Sequence, residues 1–154
     1  MSNPKEELIT SLQSKYSKEL LISESSDENK VSVTLQTENV IETASVIRDV
    51  YGFTYPIACG AVDFPNENVL HLIYYLMNPT SKLILFFKLK LDRKNPQTPS
   101  LTKVWEAMSF HERETQEMFG IVFNGHPNPE HLLLSPDWKG GYPLRKDFKG
   151  EGIE

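Results

Sequence analysis

Apolar and polar positions alternate along the chain with periods that change from segment to segment. Leu8, Leu12 and Tyr16 recur at helical spacing behind Asn3-Pro4, a cap and first-turn proline, with Glu6 and Glu7 in the first turn; the pattern predicts a helix to about residue 20. The polar run SESSDENK then reads as an exposed turn. Val31, Val33 and Leu35 alternate with Ser32, Thr34 and Gln36, the period of a half-buried strand. Thr37 can cap a second helix whose Val40, Ala44, Ile47 and Tyr51 form one stripe, with Gly52 at its C-terminal cap. Three strands follow, over about 54–63, 68–77 and 82–91. In the last, Leu83, Leu85, Phe87, Leu89 and Leu91 make one apolar face, while the other starts with Ile84 and Phe86 and turns polar at Lys88 and Lys90. Half of that second face requires a cover.

After the loop DRKNPQTP, Ser100 can cap a short helix carrying Val104 and Trp105, and Ser109 with Glu112 has the Ser-x-x-Glu spacing of a capping box for a helix that Gly120 ends. Beyond Gly120 the periodicity stops. Pro127, Pro129, Pro136 and Pro143, with glycines among them, predict an extended, irregular segment that is either loose or laid along a neighbour. The expected fold is α+β: N-terminal helices with a mixed sheet of about four strands, a pair of short helices, then an extended irregular C-terminal tail. All of 1–154 reads as a single domain, divided into an α/β sheet part (1–99), a charged helix pair (100–120) and a partner-binding tail (121–154).

Length and charge narrow the function. A chain of 154 residues buries enough surface to fold without staples. Its net charge of -5 and the lack of a basic stripe argue against nucleic acid. Cys59 is the sole cysteine, which rules out an internal disulfide and an iron–sulfur cluster held by the chain's own thiolates. Neither Gly-rich phosphate-loop pattern occurs. The start MSNPKEELI lacks a signal-peptide pattern, so a cytoplasmic location is expected. The apolar stretch Val69–Leu91 is interrupted by NPTSK, leaving runs far short of the roughly 20 residues of a membrane span.

The chemistry concentrates in FHERETQEMFGIVFNGHPN, Phe110 to Asn128. On a helix at about 100° per residue, Arg113, Glu114 and Glu117 fall near Phe110, while Phe119 lies opposite, near Glu112. A helix with no clean apolar face is expected to touch apolar matter on both sides, its charges paired; the plainer alternative is a short surface helix. A metal reading would draw on His111, Glu112, Glu114, His126 and His131, but the HExxH pattern meets Thr115 and Arg113 would repel a cation. An acid–base reading has carboxylates and histidines but no paired nucleophile. Asn124-Gly125 signals a tight turn, where His126 could donate to a backbone carbonyl and lock the loop. In PLRKDF, Arg145, Lys146 and Asp147 lie between Leu144 and Phe148, a mixture suited to docking on a partner, with Arg145 able to fork onto a carboxylate. His71 and Cys59 read most simply as structural residues.

ERETQEMFGIVFNGH, Glu112 to His126, resembles the signature of the 30 kDa subunit family of respiratory complex I, the NADH-quinone oxidoreductase. The similarity extends through SLTKVW, LLLSPDW, PLRKDF, GFTYPIACGAVDFP and LHLIYYLMN, so it covers nearly the whole chain. Departures are Glu130 in place of a usual basic residue, Phe110 in place of a common Trp, and one extra residue in WKGGYPLRKDF. The resemblance implies a cofactor-free subunit of the peripheral arm of a membrane-attached electron-transfer complex, on the cytoplasmic side. Its partners would be the large 49 kDa-type subunit of the quinone site and subunits carrying iron–sulfur clusters, with the donor-binding cofactor also in a partner. The matching motif residues would then serve a partner interface: Glu112, Arg113, Glu114, Glu117, Phe119 and Gly120 on the helix, Gly125, His126 and Pro127 after it, and Leu144, Arg145, Lys146 and Asp147 in the tail. The family also includes subunits of F420-dependent dehydrogenases and membrane-bound hydrogenases. A free-standing acid/base enzyme using Glu112, Glu114 and His126 is the alternative of a different class.

Overall fold

The computed structural model describes residues 2–150. Its elements are α1 (Pro4–Tyr16), β1 (Leu20–Glu24), β2 (Lys30–Leu35), α2 (Val40–Asp49), β3 (Tyr55–Phe64), β4 (Val69–Met77), β5 (Ile84–Asp92), β6 (Gln97–Pro99), α3 (Met108–Phe119) and β7 (Val122–Asn124), with a single 3-10 turn at Pro65–Glu67. The Asn3 side chain accepts from the Lys5 N–H and Pro4 opens the first turn, as the sequence indicates. Lys5 is itself buried, its Nζ donating to the carbonyls of Ser25 and Asp27 at 2.7 and 2.8 Å, which stitches α1 to the β1–β2 turn.

The main sheet has five strands in the order β1-β2-β5-β4-β3, and only the β2–β5 pair is parallel. The expected count of about four falls short because α1 stops at Tyr16, and Leu20–Glu24 then pairs antiparallel with β2 along its whole length. The pairing partner, rather than local periodicity, makes β1 a strand. Two caps are also placed differently. Asn39, not Thr37, occupies the N-cap position of α2 and makes no side-chain cap, while the Thr37 hydroxyl is buried without a partner. The short helix expected at Ser100 is a series of turns through 102–107, so α3 stands alone. A second sheet, β6 parallel to β7, was not expected; it clips the loop before α3 to the segment after it.

Side chains of all three helices join the inward residues of β2, β4 and β5 in one core on one face of the sheet, with Ala44, Val31, Val33, Leu72, Tyr74 and Phe87 fully buried. Trp105 joins this core and donates its indole N–H to the Phe53 carbonyl at 2.9 Å. The registers place Gly60, Ile73 and Lys88 in one row of the opposite face, and Ala58, Tyr75 and Phe86 in the next. Those outward residues lie outside the core cluster.

Candidate functional site

The signature motif folds as α3, its following turn and the β7 strand, with α3 packed against β3. The capping box does not form. Ala107 is the N-cap residue and makes no side-chain cap, so Glu112 sits two residues further into the helix than a capping glutamate would. Glu112 points into the molecule instead, with 0% exposure. Its Oε1 accepts from the Tyr74 hydroxyl at 2.8 Å and the Leu101 N–H at 2.7 Å, and its Oε2 from the Ser100 hydroxyl at 2.6 Å. Ser100, read as a helix cap, is thereby spent on holding this carboxylate.

Glu117 is buried on another side of α3, 4% exposed. Its two oxygens accept from three consecutive backbone N–H groups, Leu132, Leu133 and Leu134, at 3.0, 2.8 and 3.2 Å. Successive N–H groups converging on one anion form a nest, and the carboxylate needs no cation there. The same stretch of chain is gripped by Arg113, whose guanidinium donates to the carbonyls of Glu130 and His131, and by Gln116, which donates to the carbonyl of Pro129. The sequence led us to expect the charges of this helix to be paired; the partners are not counterions, since among the described residues Glu112, Arg113, Glu114 and Glu117 form no ion pair. Backbone and hydroxyl groups, fixed by the fold, meet them with less loss of side-chain freedom than mobile counterions would. Glu114 is exposed.

His126, 9% exposed, accepts the Asn128 N–H at Nδ1, which leaves Nε2 protonated to donate to the Ser109 carbonyl at 2.9 Å. It locks the turn onto the start of α3, in the manner read from the sequence. Gly125 adopts φ +83°, and Pro127 is exposed beyond it.

The tail returns to the other end of α3. Leu144 N–H donates to the Met118 carbonyl, Arg145 Nε donates to the Phe119 carbonyl at 2.6 Å, and the Arg145 guanidinium lies 4.8 Å from the Tyr142 ring centre. A cation at the last carbonyls complements the helix dipole. Among the described residues Arg145 thus serves a carbonyl. Phe119 is buried, and Gly120 ends the helix at φ +76° with the Tyr142 ring so close that a Cβ would meet it at 2.5 Å.

A further anchor had no signal in the sequence. Asp63 on β3, 2% exposed, receives a two-pronged contact from Arg93 at 2.7 and 3.0 Å and the Lys146 N–H at 2.9 Å, while Arg93 also reaches Asp147 at 3.0 Å. The Arg93 guanidinium holds the Asp63 carboxyl below its usual range despite burial. Lys146 itself extends over the Phe64 ring. Asp63, Arg93, Tyr74 and Ser100 lie far from the motif in sequence, and only pairing across the sheet brings them to it.

Chemically, the cluster is built to hold. Its buried carboxylates are filled with donors, burial pushes the Tyr74 hydroxyl and the Cys59 thiol up and away from nucleophilic use, and no group of three His, Cys, Asp or Glu among the described residues is placed to hold a metal ion. No helix of the described residues is long and apolar enough to cross a membrane.

A family model described as the respiratory-chain NADH dehydrogenase 30 kDa subunit matches residues 33–154. An NADH-quinone oxidoreductase subunit of Roseiflexus sp. (strain RS-1) is 37% identical over 120 residues, covering 76% of this chain and 68% of that protein. An F(420)H(2) dehydrogenase subunit of Methanosarcina mazei is 29% identical over 145 residues, covering 93% of this chain and 90% of that one. Among solved structures, a chain of the membrane-bound sulfane sulfur reductase, an archaeal respiratory membrane complex, superposes with a TM-score of 0.82 at 22% identity, covering 94% of this chain and 85% of that one. A trypsin-resistant fragment of Nqo5 gives 0.66 at 21% identity, covering 81% and 98%. These two likenesses establish the fold.

Proposed function

The chain belongs to the respiratory-chain NADH dehydrogenase 30 kDa subunit family, and from that membership we propose that it is a cofactor-free structural and assembly subunit of a membrane-attached, proton-translocating NADH-quinone oxidoreductase-type complex. It sits in the peripheral arm on the cytoplasmic side, packs on the large quinone-site subunit, and adjoins subunits that carry the iron–sulfur clusters and the donor's cofactor. One observation carries this reading above an acid/base enzyme: the signature's buried side chains, Glu112, Glu117 and His126, are saturated by internal hydrogen bonds that brace α3 and the segment after it. Around this brace the tail offers apolar side chains outward, with Leu133 63% and Leu144 55% exposed. Exposed apolar groups on a braced segment suit a protein interface.

Affinity purification of the tagged chain from its own membranes tests the reading. Iron–sulfur and quinone-site subunits should accompany it in fixed ratio, and the chain purified by itself should show a featureless visible spectrum. Turnover of a substrate by the isolated chain, or its purification alone, overturns it.

The extent of the Methanosarcina mazei match, 93% of this chain and 90% of that one, favours a second reading in which the complex oxidises reduced F420 in place of NADH. Quinone reduction or its equivalent by the purified complex, driven by each donor in turn, separates the two.

A further inference from the structure

We infer that the face of the main sheet turned away from α1, α2 and α3 docks an amphipathic helix of a protein partner, an apolar stripe seated over β3 and β4 and acidic residues set against Lys88 and Lys90. This inference rests on the reading of the chain as a subunit of a larger complex.

The observation behind it is a face of two unequal halves. Outward residues of β3, β4 and the first half of β5 are apolar or aromatic: Ala58 and Gly60, Ile73 and Tyr75, and Phe86, which meets Tyr75 edge-on at 5.1 Å. Outward residues of β2 are Lys30, Ser32 and Thr34, which end the apolar half. A sheet face is apolar where another layer covers it, and no helix among the described residues packs here, since the helices join the single core on the opposite side.

Shape sets the kind of occupant. Three strands about 4.8 Å apart make a strip about as wide as one helix, roughly 10 Å. Four outward rows, from Tyr55 to Val62, run about 20 Å, the length of a helix of about 13 residues. Gly60 deepens the middle: a Cβ there would meet nothing within 4 Å. At the outer edge Tyr55, Ile57 and Val62 are 55%, 40% and 39% exposed.

Charge sets its chemistry. Lys88 and Lys90 border the strip and, among the described residues, neither makes an ion pair. The nearby acids are turned elsewhere or lie at the end: Asp92 receives Asn68 and the Lys94 N–H, and Glu67 sits in the 3-10 turn. His71, between Val62 and Lys90, has a buried Nε2 without a partner, and burial and then Lys90 hold its imidazole below its usual value. A positive border without an ion pair among the described residues, on a chain of net charge -5, selects an acidic segment and disfavours a second copy, which would bring the same lysines to the strip.

The test uses the complex purified from native membranes through the tagged chain. Gly60→Lys places a long cation in the trough without a steric conflict inside the chain, and Lys88→Glu with Lys90→Glu reverses the border; melting of each isolated variant within a few degrees of wild type shows that it folds. A photo-cross-linking residue at Val62 reports the neighbour. The inference expects at least a tenfold loss of co-purifying subunits for Gly60→Lys, a several-fold loss for the charge reversal, and cross-links to an acid-bearing amphipathic helix of another subunit. Wild-type recovery with both variants overturns it and leaves the subunit reading standing, as do cross-links to lipid or to a second copy. Purification of the wild-type chain alone instead overturns the subunit reading and this inference together.

Discussion

At the scale of single residues, stability depends on carboxylates that have left water. Glu112 is surrounded by donors and has no exposure, so Glu112→Gln replaces an acceptor by an amide N–H facing hydroxyls and leaves one donor unmatched. That costs about 1–3 kcal/mol, seen as a lower urea midpoint with an unchanged slope; an unchanged midpoint contradicts the buried acceptor network. Asp63 behaves differently, because Arg93 lowers its folded pKa. A depressed carboxylate contributes stability that is fully present above its ordinary value of 3.8 and is lost as pH falls through the lower folded value. The melting gap between wild type and Asp63→Asn should therefore be wide near pH 6 and shrink by about pH 3; a gap independent of pH would refute the linkage. His126 was legible in the sequence because its partner is local, whereas Glu112 looked like a cap because Ser109 fits that spacing. The hydroxyls of Tyr74 and Ser100, brought by the sheet, outcompete it.

Among the elements, α3 works as a two-sided brace, with the β-sheet behind Glu112 and the chain segment 129–134 in front of Glu117, Arg113 and Gln116. Arg113→Ala removes donors to the Glu130 and His131 carbonyls but leaves the helix and its core face intact. Amide exchange should rise at residues 130–134, where the nest on Glu117 loosens, and stay unchanged along β5. Uniform acceleration would mean that Arg113 holds the whole fold. Helices α1 and α2 and strands β2 to β5 were readable because each carries its own periodicity. The β1 strand was not, since Leu20, Leu21 and Ile22 have no alternation and gain their conformation from β2. Short β6 and β7 were invisible for the same reason: three-residue strands exist only through one another.

In the molecule as a whole, the one parallel pair of the main sheet shapes how that sheet can come together. The β1–β2 hairpin and the β3–β4–β5 meander each join neighbours in sequence, but Lys30–Thr34 must find Ile84–Lys88 across everything between them. Closing so large a loop is slow, and local units form before it. Val33, fully buried on β2, should accordingly show a φ-value near 0 on mutation to Ala, with faster unfolding and little change in refolding; a value near 1 would place the parallel ladder in the nucleus instead. During synthesis from the N-terminus, β2 is complete long before β5 leaves the ribosome, and one of its edges stays unpaired in the interval. The strand that ends up shielded at the sheet's interior is thus the one the nascent chain must keep from foreign strands the longest.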